Sequence, residues 1–227
     1  MADAARTKGS RDALLNAALV RYRAGGHAAV SFRQLARDVG ISHMQPYRFF
    51  RDKAELVAAM RCHCFRELLG VIRASDRVQE PPLSRLYAIT AGTFGYLFQR
   101  PEDYRLMFAL NQPAPTGYEA LAEARRAVYA YLRDVVQAGV DAGDLHGDVD
   151  DVLHLAWAVS HGLFTLHLSD QLMHGRDLES LVQPALDVMF APFRNRPDIA
   201  ALRASARHIP ELRDNHDEES DDESDHA

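Results

Sequence analysis

Cysteine is nearly absent: Cys62 and Cys64 are the only two in 227 residues. Side chains two positions apart do not face each other on a helix, so no disulfide framework is expected and a reducing cytoplasm is the expected home. The Cys62-His63-Cys64 triplet is no metal site either, because its two thiols point about 200° apart around a helix. No metal and no cofactor is expected. No run of about 18 apolar residues occurs, so no membrane span is expected, and the opening MADAARTKGS lacks the apolar core of a secretory signal. A Gly-rich phosphate loop, a nucleophile elbow and a His-x-x-x-His carboxylate set are missing, which argues against an enzyme. Strand-like alternation is missing too, as is any repeat of about 20–50 residues. Lysine occurs only at Lys8 and Lys53, an arginine bias that fits a GC-rich bacterial genome.

What remains is apolar sequence at helical spacing, enough at 47% hydrophobic content to bury a sizeable core in one or two domains. The expected fold is all-α with about nine helices. The net charge of −6 hides a segregation: residues 1–61 hold eleven Arg/Lys against five Asp/Glu, roughly +6, leaving roughly −12 for the rest. A basic N-terminal module on an acidic body is the electrostatic footprint of DNA binding by one end.

That basic module contains SFRQLARDVGISHMQPYRFF, residues 31–50. Ser31 is placed to cap a helix whose apolar face is Phe32, Leu35, Ala36 and Val39. Gly40 sits where the chain must turn, Ile41 plugs the corner, and Ser42 is placed to cap a second helix through Arg48. Small residue, three residues, Gly, apolar, Ser is the pattern of a DNA-reading helix-turn-helix. Upstream, Leu14, Leu15, Ala18, Leu19 and Tyr22 form a helical stripe that ends at Gly25-Gly26 and supplies a third wall behind Phe32, Leu35, Val39, Tyr47 and Phe50. Residues 1–8 are expected to be disordered.

The run GISHMQPYRFFRDKAEL resembles the N-terminal pattern of TetR-family transcriptional repressors: Gly40-Ile41-Ser42, then Tyr47, Phe50 and Lys53-Ala54-Glu55-Leu56. The resemblance covers about the first sixty residues without a gap. It implies a three-helix DNA-binding domain over 1–52 and a helical regulatory and dimerisation domain over 53–194. Residues 195–227, which end in DEESDDESDHA, read as a disordered acidic tail. Asp52 is placed to cap a long fourth helix, which in the family carries the signal between ligand and DNA.

If the second helix of the motif lies in a major groove, His43, Met44 and Gln45 face base edges, with Gln45 suited to adenine and His43 to guanine. Pro46 is placed to touch a thymine methyl, and Tyr47 to share its ring with the core while its hydroxyl reaches a phosphate. Ser31, Ser42, Arg33, Arg48 and Lys53 complete the expected interface, the last two and Arg33 with Ser31 as phosphate holders. One module of this size is too small for selectivity, so a homodimer on a palindromic operator is expected.

Five further helices are expected after the fourth: from Leu83, from Glu102, over about 118–142, over 149–172 and over 178–193, the last carrying an irregularity at Pro184. The resemblance implies that the last two pair across a dimer. In HLAWAVSHGLFTLHL, Trp157, His161 and Gly162 resemble the Trp-x-x-x-His-Gly signature of one TetR C-terminal subfamily. His154, Trp157 and His161 share one side of the helix, where a buried stripe either lines a ligand cavity or simply fills core, each His bonding a carbonyl. Phe65, Leu69, Phe94, Met107, Phe108 and Tyr131 are the other pocket candidates, equally open to an ordinary core role. The reading is a ligand-released DNA-binding repressor of unassigned effector; a ligand-independent or partner-controlled DNA binder is the alternative.

Overall fold

The computed structural model describes residues 2–108 and 117–194, with side chains from Arg11 onward; the expected tail over 195–227 and most of the loop after residue 110 lie outside them. Residues up to Asn195 form one compact unit. Eight α-helices and no strand are found among the described residues.

Helix α1 (Ala2–Gly25) runs from the second residue, where disorder was expected; the alanine-rich start favours helix over coil. It stops at Gly26, whose φ of 64° is open to glycine without strain. Helix α2 (Phe32–Val39) starts as its sequence demands, with Ser31 Oγ accepting from the Gln34 N–H at 3.4 Å and donating to Gln34 Oε1 at 2.8 Å. It ends in a Schellman turn: Gly40 takes φ 71°, and the N–H groups of Gly40 and Ile41 bond back to Arg37 and Ala36.

The third expected helix, the second of the helix-turn-helix, is a single 3₁₀ turn, Gln45–Arg48. Ser42 does not cap it through its side chain; its backbone carbonyl accepts from Gln45 N–H at 3.0 Å instead. Proline at the second position of so short an element lacks the N–H that would help extend it.

Helix α3 (Lys53–Ser75) is capped by Asp52, whose carboxylate accepts from the Glu55 N–H at 2.8 Å. It is the shared axle of the fold, packing against α1 at one end and, further on, against α4 (Pro82–Gln99), α5 (Pro101–Phe108) and α6 (Glu119–Asp141). Prolines open α4 and α5, where a missing N–H costs little. Helix α7 (Val149–Leu168) is capped by Asp148, which accepts from two N–H groups, and ends four residues before the expected 172. Helix α8 (Leu178–Arg194) packs on α7 and α4 and continues through Pro184. One apolar core runs from Leu14 and Leu35 through Met60 and Ile89 to Phe190.

Candidate nucleic-acid interface and apolar cavity

The 31–50 corner is held from behind by Leu14, Leu19, Val30, Leu35 and Phe50, all essentially excluded from solvent. This fixes which side chains face out. Arg33, Ser42, His43, Met44, Tyr47 and Arg48 are exposed, Gln45 and Ser31 are half-buried, and together they make one polar, cation-bearing face. One expectation is corrected. Pro46 is buried, so its ring packs inward and is not free for a thymine methyl. Tyr47 is 54% exposed, and its ring meets the core edge-on at Phe32, with ring centroids 4.8 Å apart. A 3₁₀ turn advances each side chain by about 120° where an α-helix advances it by about 100°, which rotates Pro46 in and Tyr47 out. Lys53 Nζ donates to the His27 carbonyl at 2.7 Å, so it braces the corner as well as adding charge to it.

Between α3 and α8 lies a cavity of about 770 Å³, in the size range of small-molecule sites. Of the candidates that the sequence left open between pocket and core, Phe65, Phe94, Phe108, His154, Trp157 and His161 line it. Leu69, Met107 and Tyr131 do not line it: the first two are core, and Tyr131 donates instead to Asp76 Oδ2 at 2.7 Å. The expected burial of the His-Trp-His stripe is also corrected, since His154 is exposed and Trp157 is 49% exposed. These two stand at the cavity rim; only His161 reaches inward.

Sequence reasoning missed Tyr104, which closes the inner wall. Its hydroxyl lies 2.6 Å from His161 Nδ1 and 3.3 Å from the His161 carbonyl. Burial pushes its phenol pKa up, so Tyr104 stays protonated, and its 2.6 Å contact with Nδ1 fixes the His161 ring. Phe164 stacks on Tyr104 at 5.1 Å and Phe94 on Phe164 at 5.0 Å, giving a rigid aromatic floor. Also missed were Arg125, Arg126 and Arg133, which line the wall contributed by α6. A solitary helical arginine reads as solvated, and only the packing of α6 against α3 and α7 shows where these point.

Among the described residues no cluster of His, Cys, Asp or Glu suits a metal ion, and no helix is long and apolar enough to cross a membrane.

Residues 86–189 match the family model of the tetracyclin repressor-like C-terminal domain. No curated protein matches the chain in sequence. Among solved structures, a protein of unknown function from Rhodococcus sp. RHA1 is 27% identical, with a TM-score of 0.72 over 82% of this chain and 96% of that one. A TetR family transcription regulator from Marinobacter aquaeolei VT8 is 19% identical, with a TM-score of 0.64 over 86% of this chain and all of its own, 100%. The transcriptional regulator FadR from Bacillus subtilis, solved in complex with stearoyl-CoA, is 14% identical, with a TM-score of 0.65 over 78% and 96% of the two chains. The chain thus carries a tetracyclin repressor-like C-terminal domain over residues 86–189, and its all-helical fold is similar to that of solved TetR family transcription regulators.

Proposed function

We propose that this TetR-like chain is a cytoplasmic, homodimeric repressor, released from a palindromic operator by a small-molecule effector. The observation that carries the reading is the joining of two sites through one helix. Helix α1, which backs the helix-turn-helix corner, packs on α3 as well as on α2, and Lys53 at the start of α3 donates to the His27 carbonyl. The apolar cavity takes Phe65, Leu68 and Ile72 from the same α3. In this division residues 1–52 read DNA, 53–194 bind effector and partner, and 195–227 are an acidic tail.

Base reading falls to His43, Met44 and Gln45, and phosphate contacts to Arg33, Tyr47 and Arg48, with Ser31, Ser42 and Lys53 at the edges of the footprint. Dimerisation falls to α7 and α8, which leave Leu155, Leu166 and Val188 between 44% and 61% exposed. Gly162 lies on the same face of α7, with nothing of its own chain within 4 Å of an added Cβ; a partner helix can approach closely there. An effector that fits only the form with misspaced recognition elements shifts the population off DNA.

The test is selection of bound duplexes from random DNA by the full chain. The expected product is an inverted repeat with half-sites about 34–36 Å apart. Recovery of no enriched motif, or of an unpaired half-site bound by a monomer, would overturn the reading.

A further inference from the structure

The cavity walls are mostly apolar, with a few hydroxyl groups such as Thr90, Thr93 and Ser160, and the charged residues among them are of one sign. Its lining carries Arg125, Arg126 and Arg133 together with His154 and His161, and no aspartate or glutamate among the described lining residues. Arg126 and Arg133 lie two turns apart on α6 with Tyr129 between them, so all three side chains share one edge of the opening. Arg125 stands 6.0 Å from the Phe65 ring centroid. Burial and the Arg125 charge together depress the pKa of Arg61, a guanidinium that donates to the Met107 carbonyl at 3.3 Å. Arg61 lies outside the cavity lining, and the cationic groups of the wall itself are the three α6 arginines.

The arginines already have carboxylate neighbours, and these are displaceable. Arg126 Nη2 lies 2.6 Å from Glu119, but the two side chains are 65% and 82% exposed. Arg133 Nε lies 3.4 Å from Asp150, which also accepts from the Tyr129 hydroxyl at 2.7 Å. Ion pairs so open to water contribute little and exchange readily. A planar guanidinium offers paired donors to a carboxylate or phosphate, which can take the place of Glu119 and Asp150, whereas a neutral ligand gains no such bonds and a cationic one adds repulsion.

We infer that the effector is an anionic amphiphile: an apolar chain or ring system on the Phe94–Tyr104–Phe164 floor, with a carboxylate or phosphate head held at the rim by Arg126 and Arg133. This rests on the reading of the cavity as the effector site and adds the chemical class. A floor of stacked rings favours an apolar body, because each buried methylene is worth about a fourfold gain in affinity.

The full-length protein carries its own reporter, since Trp157 is the single tryptophan and lines the rim. Titration with dodecanoate, dodecyl phosphate, 1-dodecanol and dodecyltrimethylammonium, all below their aggregation limits, is followed by Trp157 emission and by thermal melting. Either anion is expected to bind at least about tenfold more tightly than the alcohol, and the tighter of the two identifies the head group. The paired substitution Arg126→Gln/Arg133→Gln should erase that preference while leaving alcohol binding in place; Arg77→Gln, on the exposed α3–α4 connection, should leave the preference intact. Equal affinity for acid and alcohol, or tighter binding of the cation, overturns the anionic assignment and leaves the effector cavity standing. No response to any of the four overturns the effector cavity itself, while the DNA selection above is unaffected.

Discussion

Arg23 Nε and Nη2 each donate to one oxygen of Asp103 at 2.8 Å, across 80 positions of sequence. Asp103 has no exposed side-chain area, whereas Arg23 is 37% exposed. The pair pins the last turn of α1, in the DNA-binding end, to α5. The next residue, Tyr104, is the one that reaches His161 in the cavity. One short helix thus touches both sites.

Removing Arg23 leaves the Asp103 carboxylate buried with only Arg100, at 3.7 Å, nearby. Arg23→Ala should cost about 3 kcal/mol in urea unfolding, while Arg23→Met with Asp103→Leu recovers most of it by replacing charge with packing. The double variant should still bind operator but respond less to effector, because α5 is no longer tied to α1. An unchanged effector response in a gel-shift titration would mean that the signal runs through α3 alone.

Two glycines three apart on α4 make opposite predictions. A Cβ on Gly92 would lie 2.0 Å from Ser75 Oγ and 2.7 Å from Ser75 Cβ, so α3 and α4 cross there at contact distance. Gly92→Ala should destabilise by about 1–3 kcal/mol through overpacking. At Gly95 an added Cβ meets nothing within 4 Å, and Gly95→Ala should stabilise by up to about 1 kcal/mol through helix propensity. Chemical denaturation of both variants reads the two signs.

Asp76, just past the end of α3, accepts from Arg85 Nε and Nη2 at 2.8 Å each and from Tyr131 at 2.7 Å. Arg85's hydrogen bonds, aided by Tyr131, hold its carboxyl below the usual carboxylate range despite the opposing effect of burial. Because the folded pKa is depressed, the stabilisation is present above the unfolded value of about 3.9 and is lost as pH falls below it. Asp76→Asn should therefore flatten the acid limb of Tm against pH below about pH 4. Asp38 and Asp52 are depressed as well, so the readout is the difference between the variant and wild-type curves.

Cys64 is fully excluded from solvent, and burial, with the Asp103 charge behind it, pushes its thiol up to about 12. Burial raises the Cys62 thiol too. Both should resist iodoacetamide at pH 8 in the folded protein and react in urea, because the thiolate is the attacking form. Rapid native labelling of Cys64, read by mass spectrometry, would show that α3 and α5 separate locally.

Local signals in the chain carried much of the architecture. Ser31 and Asp52 cap where a hydroxyl and a carboxylate precede an apolar stripe, Gly40 turns where only glycine takes positive φ cheaply, and all eight α-helices among the described residues were legible from periodicity. These depend on neighbours within a few positions, so the sequence by itself determined them. At 45–48 the proline shortens the element to a 3₁₀ turn, but which of Pro46 and Tyr47 faces outward shows only in the folded corner, where Pro46 is buried and Tyr47 meets Phe32 by an edge. The cavity, too, was decided only by the tertiary structure. Phe65, Phe94 and His161 belong to three different helices, and Leu69 is as apolar as any of them yet faces core. Periodicity gives a side chain its face on its own helix, but the angle at which helices cross decides what that face meets. That is why three ordinary-looking arginines on α6 became the charged wall of a pocket only once α3, α6 and α7 were assembled.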